Sequence, residues 1–346
     1  NEATGTVTLT GFNPTSIELR VDGVSKGIHN FSNKDILPID SFQLRNDQFD
    51  GKLDFIEINN TSGGGGGAGA PGNNGGDSSN FGHGGIGKRY NIRDGKTAVY
   101  YAGGGGAGKT SLIGIRSGGG LGGGGDGAPY SYTPLTDANH GGNGKANTGG
   151  GGGGSYSTHT DAYRGGKGGS GIVIVRVPQN LKNTLNIPKA TGGIISYYTL
   201  GNVNYCVHTF LDSGSFIPES SLQVDYLIVA GGGSGGSGGD QTHEGAGGGA
   251  GGLIYQTGIT FTNSTYNIII GKGGSENSNG ENSSITGTGL TSNHIALGGG
   301  KGGHSDYPFS YGGGPYNSQQ KGNNGGSGGG AAGAGNRPDF TGGLGI

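Results

Sequence analysis

The chain has no methionine, no tryptophan and a single cysteine in 346 residues. One cysteine excludes an intrachain disulfide framework. Cys206 alternates within Tyr205-Cys206-Val207-His208-Thr209-Phe210, so it is expected as a buried strand thiol. Apolar residues make up only 29% of the chain, and no run approaches the ~18 needed to cross a bilayer. Membrane insertion is therefore not expected, and no signal peptide is visible. Charge is scarce too. Charged residues are 13% and the net charge is −2, which removes the electrostatic reason to expect a nucleic acid or an anionic membrane as partner. Disorder usually combines low hydrophobicity with high net charge, and the second half of that condition is missing. A convincing helical stretch is missing as well. The apolar residues fall in short β-type runs between glycine tracts.

Glycine is what the chain has instead, 90 residues of it, against an ordinary share of ~7%. Collagen would need a strict Gly-X-Y period and abundant proline; eleven prolines and the run Gly63-Gly64-Gly65-Gly66-Gly67 exclude it. A flexible linker would need little beyond Gly and Ser. These tracts are instead punctuated at intervals by loops rich in Asn, Asp, Pro and Tyr. A third option is a bundle of polyglycine-II helices, ~3 residues per turn, bonded only to their neighbours. Side chains are tolerated there at one position in three. Gly232-Gly233-Ser234-Gly235-Gly236-Ser237-Gly238-Gly239-Asp240 and Gly165-Gly166-Lys167-Gly168-Gly169-Ser170 both carry that period. The fold class expected is mainly β with polyglycine-II helix bundles, no substantial α-helix, and repeated modules.

Four regions follow. Residues 1–60 form a small β-module, with alternating strands at 5–10, 16–23 and 51–58. Residues 61–177 are a first glycine-rich module, closed by the strand Ile172-Val173-Ile174-Val175-Arg176-Val177. A polar linker spans 178–190. Residues 191–346 hold β entry strands near 193–198, 205–211, 224–230, 253–255 and 266–270, plus a second glycine-rich module. The end of the chain resembles residues 63–87, so the first module shows its back and the second its front. With the missing methionine, this suggests a segment of a longer repetitive protein.

Gly103 and Gly108-Lys109-Thr110 satisfy the phosphate-loop pattern G-x-x-x-x-G-K-[ST], and a strand-like run at 97–102 precedes it. The chemistry needs a helix after Thr110. Only Ser111-Leu112-Ile113-Gly114-Ile115-Arg116-Ser117 follows before more glycine, too short and too β-branched. Nucleotide binding is not expected, and no other cofactor motif is visible. The eight histidines, at 29, 83, 140, 159, 208, 243, 294 and 304, show no metal-site spacing. Glu244 beside His243 is the only acid–histidine neighbour worth noting. The Asn/Asp/Gly clusters at 73–77 and 275–282 offer oxygen ligands for calcium, but turns explain them. The chain is not expected to be an enzyme. Its candidate contact residues are loop aromatics: Tyr130 and Tyr132, Tyr156 and Tyr163, and Tyr307, Phe309 and Tyr311. Exposed Tyr and Ser on a rigid platform give large contact area at low entropy cost. The same rings could equally stack on glycine backbone and hold neighbouring modules together.

Several phrases taken together carry a resemblance: "VDYLIVAGGGSGGSGG" at 224–239, "GAGGGAGGLIY" at 245–255, "GKANTGGGGGG" at 144–154 and "GGSGIVIVRV" at 168–177. Over roughly residues 61–346 the chain resembles the glycine-rich repeat domain of bacteriophage and large-virus structural proteins. That domain is similar in kind to glycine-rich tail-fibre adhesins, whose tips are polyglycine-II bundles carrying receptor-binding loops. "LRVDGVSKG" and "FDGKLDFIEI" more weakly resemble the closing strands of a concanavalin or laminin-G-like sandwich. The resemblance implies a virion-surface or extracellular protein. Its partners would be copies of itself, other virion proteins, or a host-surface glycan or protein. The rival expectation is a purely structural filament subunit or virion assembly component.

Overall fold

The computed structural model describes residues 16–21, 24–30, 55–57, 62–73, 75, 82–108, 116–129, 140–157, 164–179, 187–238, 243–290, 294–304, 322–332 and 345. Among these the fold is mainly β and contains no helix. In the N-terminal region β1 (Ser16–Val21) pairs antiparallel with β2 (Val24–Asn30) and with β3 (Phe55–Glu57). The expected strand at 5–10 lies outside the described residues. A second small sheet joins β4 (Lys88–Tyr90) to β5 (Val99–Tyr101), and β6 (Tyr156–Ser157) pairs with β13 (His243–Glu244).

The side-chain core belongs to two five-stranded sheets. The first has the order β14-β12-β7-β10-β9, with β7 (Ile172–Gln179), β9 (Ile194–Leu200), β10 (Val203–Phe210), β12 (Leu222–Val229) and β14 (Leu253–Phe261). The second runs β17-β16-β15-β11-β8, with β8 (Ala190–Thr191), β11 (Gly214–Pro218), β15 (Tyr266–Ile269), β16 (Ser283–Thr286) and β17 (His294–Ala296). Val173, Val175, Tyr226 and Ile228 of the first sheet pack on Phe216, Ile268 and Ile285 of the second. The opposite face of β7 and β12, with Ile172, Ile174, Leu227 and Val229, is covered by Ile92 and Tyr101 around the β4–β5 hairpin. Burial on both faces is why β7 and β12 carry nearly continuous apolar runs rather than alternation.

β7 completes a sheet otherwise built from residues 194–261, so the composition change at 178–190 does not separate two cores. β14 carries a bulge, where Val224 and Tyr226 of β12 face Ile259 and Gln256. The extra residue re-phases the strand, so Ile254 before it and Phe261 after it face the same core. Gly258 sits there at φ +65°, and its amide donates to Asp225 Oδ1 at 3.0 Å.

The glycine segments bond sideways to one another, and the bonds repeat every third residue. The amides of Gly63 and Gly66 donate to Ala331 and Gly328; those of Gly64 and Gly67 donate to Asn73 and Ala70; those of Gly65 and Ala68 donate to Gly105 and Ala102. One segment thus addresses three neighbours in rotation. Residues 245–252 lie at the centre of this lattice. Their amides donate to segments 149–155, 63–66 and 297–303, and their carbonyls accept from 105–108, 230–236 and 327–330. Such approach leaves no room for Cβ: one added to Gly65 would lie 1.9 Å from the carbonyl oxygen of Gly248.

Gly192 and Gly193, at φ +108° and +65°, turn the chain from the second sheet into the first. His208 fastens this corner from inside the core. Its Nδ1–H donates to the Gly192 carbonyl at 2.7 Å, which leaves Nε2 to accept from the Cys206 thiol 3.5 Å away. Burial lowers the His208 pKa below its ordinary value, partly opposed by the bond to Gly192, and pushes the Cys206 thiol up. His294, which accepts the Tyr226 hydroxyl at Nδ1, is also lowered by burial. Its partner Tyr226 is pushed up to about 12 by burial.

Two predictions follow from these constraints. Gly248→Ala drives a methyl against the Gly233 and Ser234 carbonyls, which sit 2.4 and 2.5 Å from its Cβ position. Overpacking against backbone is expected to cost more than about 3 kcal/mol, whereas Lys167→Ala on the exposed rim stays within about 0.5, compared by denaturation midpoints. The second concerns acid. The unfolded chain protonates its histidines near pH 6.5 while the buried rings resist. Stability is then fully present above that pH and is lost as pH falls from there toward the lower folded values. Thermal midpoints between pH 8 and 4.5 test this, and His208→Asn, which keeps a donor to Gly192 but cannot titrate, is expected to flatten the fall.

Candidate functional site

The phosphate-loop pattern lies inside the lattice. The amides of Gly103 and Gly106 donate to Gly122 and Gly125, those of Gly104 and Ala107 to Gly85 and Gly82, and those of Gly105 and Gly108 to Gly248 and Gly245. A phosphate cradle needs those N–H groups free and convergent. Here six successive amides diverge to three neighbours and are all bonded. Lys109 and Thr110 lie outside the described residues.

Side chains take over where a segment reaches the rim and has no neighbour on one side. Asn143 Oδ1 accepts from the Lys167 amide, Asn279 Oδ1 from the Lys301 amide and Asn282 Oδ1 from the Gly298 amide. Asp126 Oδ1 serves the Gly119 amide and Glu281 Oε2 that of Lys272. Ring nitrogens do the same: Nδ1 of His83 accepts from Gly118 and Nδ1 of His140 from Arg164. Glu244, paired on sequence with His243, accepts from the Ser62 amide at 3.0 Å. The oxygens of the cluster at 275–282 are thus largely engaged by the protein. Asn277, at φ +58°, shapes a turn there and accepts from Lys301 Nζ. In the cluster at 73–77, Asn73 accepts from Gly64 through its main chain. No group of three or more His, Cys, Asp or Glu side chains comes together among the described residues.

The interior Ser positions of the G-G-x period are caps of the same kind. Ser234 is fully buried, and its Oγ accepts from the Ser278 amide at 3.1 Å. Ser237 Oγ accepts from Gly165. These bonds were not legible beforehand, since the partner lies 44 or 72 residues away.

Tyr130, Tyr132, Tyr163, Tyr307, Phe309 and Tyr311 lie outside the described residues. Tyr156 is described, and its placement corrects the expectation of an exposed loop ring. It stands in β6 opposite Glu244, with 2% of its surface exposed. Short strand pairing draws its side chain into the lattice, so no external contact is assigned to it.

One polar cluster stands out on the first sheet. Arg176 of β7 donates to Asp225 of β12 and, through Nη1, to the Tyr198 hydroxyl at 2.9 Å. Its guanidinium lies 4.9 Å from the Tyr205 ring centroid, and Tyr198 stacks on Tyr205 at 5.0 Å. Burial opposes the arginine charge, yet the bonds to Asp225 and Tyr198 outweigh it and the pKa stands raised. Each guanidinium nitrogen makes a hydrogen bond within the sheet, Nε and Nη2 to Asp225 and Nη1 to Tyr198. The cluster ties strands β12, β7, β10 and β9 together.

No curated protein and no solved structure matches the chain. A family model described as a glycine-rich domain does match, over residues 10–178 and 211–346. The match begins before the first glycine tract and takes in most of the N-terminal β region. The lattice, the strands that feed it and the extent of that match lead to one conclusion: the chain belongs to the glycine-rich domain family.

Proposed function

We propose that the protein is a virion-surface structural protein, a fibre or adhesin that presents loops on a rigid glycine scaffold for host attachment. The observation that carries this reading is the lattice in which residues 245–252 bond to six neighbouring segments. Fixing glycine backbone is entropically costly, and dense main-chain bonding is what offsets it. The three-residue repeat of those bonds supports a polyglycine-II bundle, whose helix has ~3 residues per turn and no internal hydrogen bonds. A scaffold of this kind does no chemistry. The contact residues we assign are the sequence candidates Tyr307, Phe309 and Tyr311, which lie outside the described residues. Recognition of a host-surface glycan or protein by these rings needs no cofactor.

The rival reading, a filament subunit or virion assembly component, is favoured by one feature. Ile269 and Ile295 are paired through Ser284 in one cross-strand row and stand 47% and 45% exposed. Two exposed isoleucines flanking Ser284 on one sheet face suit contact with other copies or other virion proteins.

Binding of the labelled chain to a glycan array and to a panel of microbial cells separates the two. Saturable binding that falls at least tenfold in a Tyr307→Ala/Phe309→Ala/Tyr311→Ala variant, with an unchanged melting midpoint, is the expected result. Absence of binding, together with end-to-end polymers by negative-stain imaging, would sink the adhesin and leave the filament. The bundle geometry is tested separately by nuclear magnetic resonance, which should place the lattice glycines near φ −75°, ψ +145° or its mirror image.

A further inference from the structure

We infer that strand β9 (Ile194–Leu200) is a homodimerisation edge, which pairs antiparallel with β9 of a second copy to make one continuous sheet across a two-fold axis. β9 is the last strand of the first sheet and has only β10 beside it. The two strands are joined by the two-residue turn Gly201-Asn202, with Gly201 at φ +59°. In such a hairpin the flanking residues, Leu200 and Val203, form the narrow pair that exchanges both main-chain bonds. Alternation along the strand then directs the N–H and C=O of Ile195, Tyr197 and Thr199 away from β10. No described residue donates to or accepts from those outward groups. The strand is also open to solvent: Ile194 is 60% exposed, Leu200 44% and Ile195 37%.

Protein sheets normally defend such an edge with charge, proline, a bulge or a covering loop. The other edge of this sheet is defended, since β14 carries the bulge at Gly258 and its bond to Asp225. Among the described residues β9 carries none of these devices. Its sequence, IISYYTL, has no charged residue, no proline and no glycine, and its pairing with β10 is unbroken.

The strand is complementary to itself in one register. A two-fold axis at Tyr197 sets Ile194 against Leu200, Ile195 against Thr199, and Tyr197 against its own copy. The outward residues then form three narrow pairs, and about six main-chain bonds close across the interface. Apolar, β-branched and aromatic pairs of this kind are the favourable cross-strand contacts. No like charges meet, because the segment has none. A partner of opposite charge has nothing to recognise here, whereas a second copy satisfies both the backbone and the side chains. The pairing stands apart from the attachment function and holds whether or not the protein belongs to a virion.

The test is the mass of the 346-residue chain by sedimentation equilibrium across a hundredfold concentration range. Twice the chain mass at the upper end is expected. Ile195→Lys/Thr199→Lys sets lysine against lysine across the axis and should shift the population to monomer by at least tenfold in dissociation constant. Ile195→Lys/Thr199→Glu sets opposite charges face to face and should restore the dimer. Hydrogen exchange on the unmodified chain gives a readout independent of variant folding. The amides of Ile195, Tyr197 and Thr199 should gain protection as concentration rises, while those of Ser196 and Tyr198, already bonded to β10, should not change. A chain that stays monomeric throughout overturns the inference. So does an oligomer indifferent to the lysine pair and without concentration-dependent protection of the three amides.

Discussion

The structure depends on one interaction, the main-chain hydrogen bond between glycine segments that touch without side chains. Each such bond is ordinary in strength. What is unusual is the approach it requires, with a position 1.9 Å from a neighbouring carbonyl oxygen where Cβ would otherwise stand. A single added methyl meets backbone, which cannot rotate aside. Glycine is therefore required wherever a neighbouring carbonyl occupies the Cβ position, while Ala246, Ala250 and Ser234 fill the buried places where a side chain fits, and the dense bonding of the interior segments offsets the entropic cost.

Identical glycine segments give no information about which neighbour is which, so something else must set their order. The β-sandwich does this. Segments 164–171, 231–238 and 245–252 are direct continuations of β7, β12 and β14. In the sheet β12 lies between β7 and β14. In the lattice the amide of Gly232 donates to Gly169 and that of Gly233 to Gly249, so the same order persists. The second sheet feeds the lattice likewise, with β15 leading to 270–274 and β17 to 297–303. Side-chain packing between Val175, Tyr226, Phe216 and Ile268 fixes register, and the glycine backbone inherits it. Rim side chains then close the accounts, with Asn143, Asn279 and Asn282 standing in for the missing carbonyl.

This division explains what the sequence revealed. β7, β12 and β15 were legible because they carry consecutive apolar or β-branched residues beside glycine, and β10 because of its alternation. β11, β16 and β17 were not: GSFIP, SSIT and HIA hold few apolar residues and are strands only because of their partners. The glycine period was legible only where a side chain interrupts it, as in 232–240, and the identity of each neighbour was not. The Asn-rich stretch at 275–282 looked like turns with spare oxygens. It does contain a turn, but the oxygens cap amides from distant segments, a role that only the assembled lattice creates. Tyr156 misled because its neighbours are polar; pairing with β13 takes it inside.

The phosphate-loop pattern and the β9 edge illustrate the same rule from opposite sides. A backbone group can act on a partner only if the fold leaves it unbonded. Residues 103–108 have the motif, yet each amide is bonded to a neighbouring segment. β9 has no motif at all, yet its alternate amides and carbonyls face outward with nothing described beside them. Sequence patterns record residue types and cannot record that difference. In a chain whose interior is mostly main chain, the account of donors and acceptors is the more informative guide to function. Here it moves attention from the glycine-rich motif to a short uncharged strand.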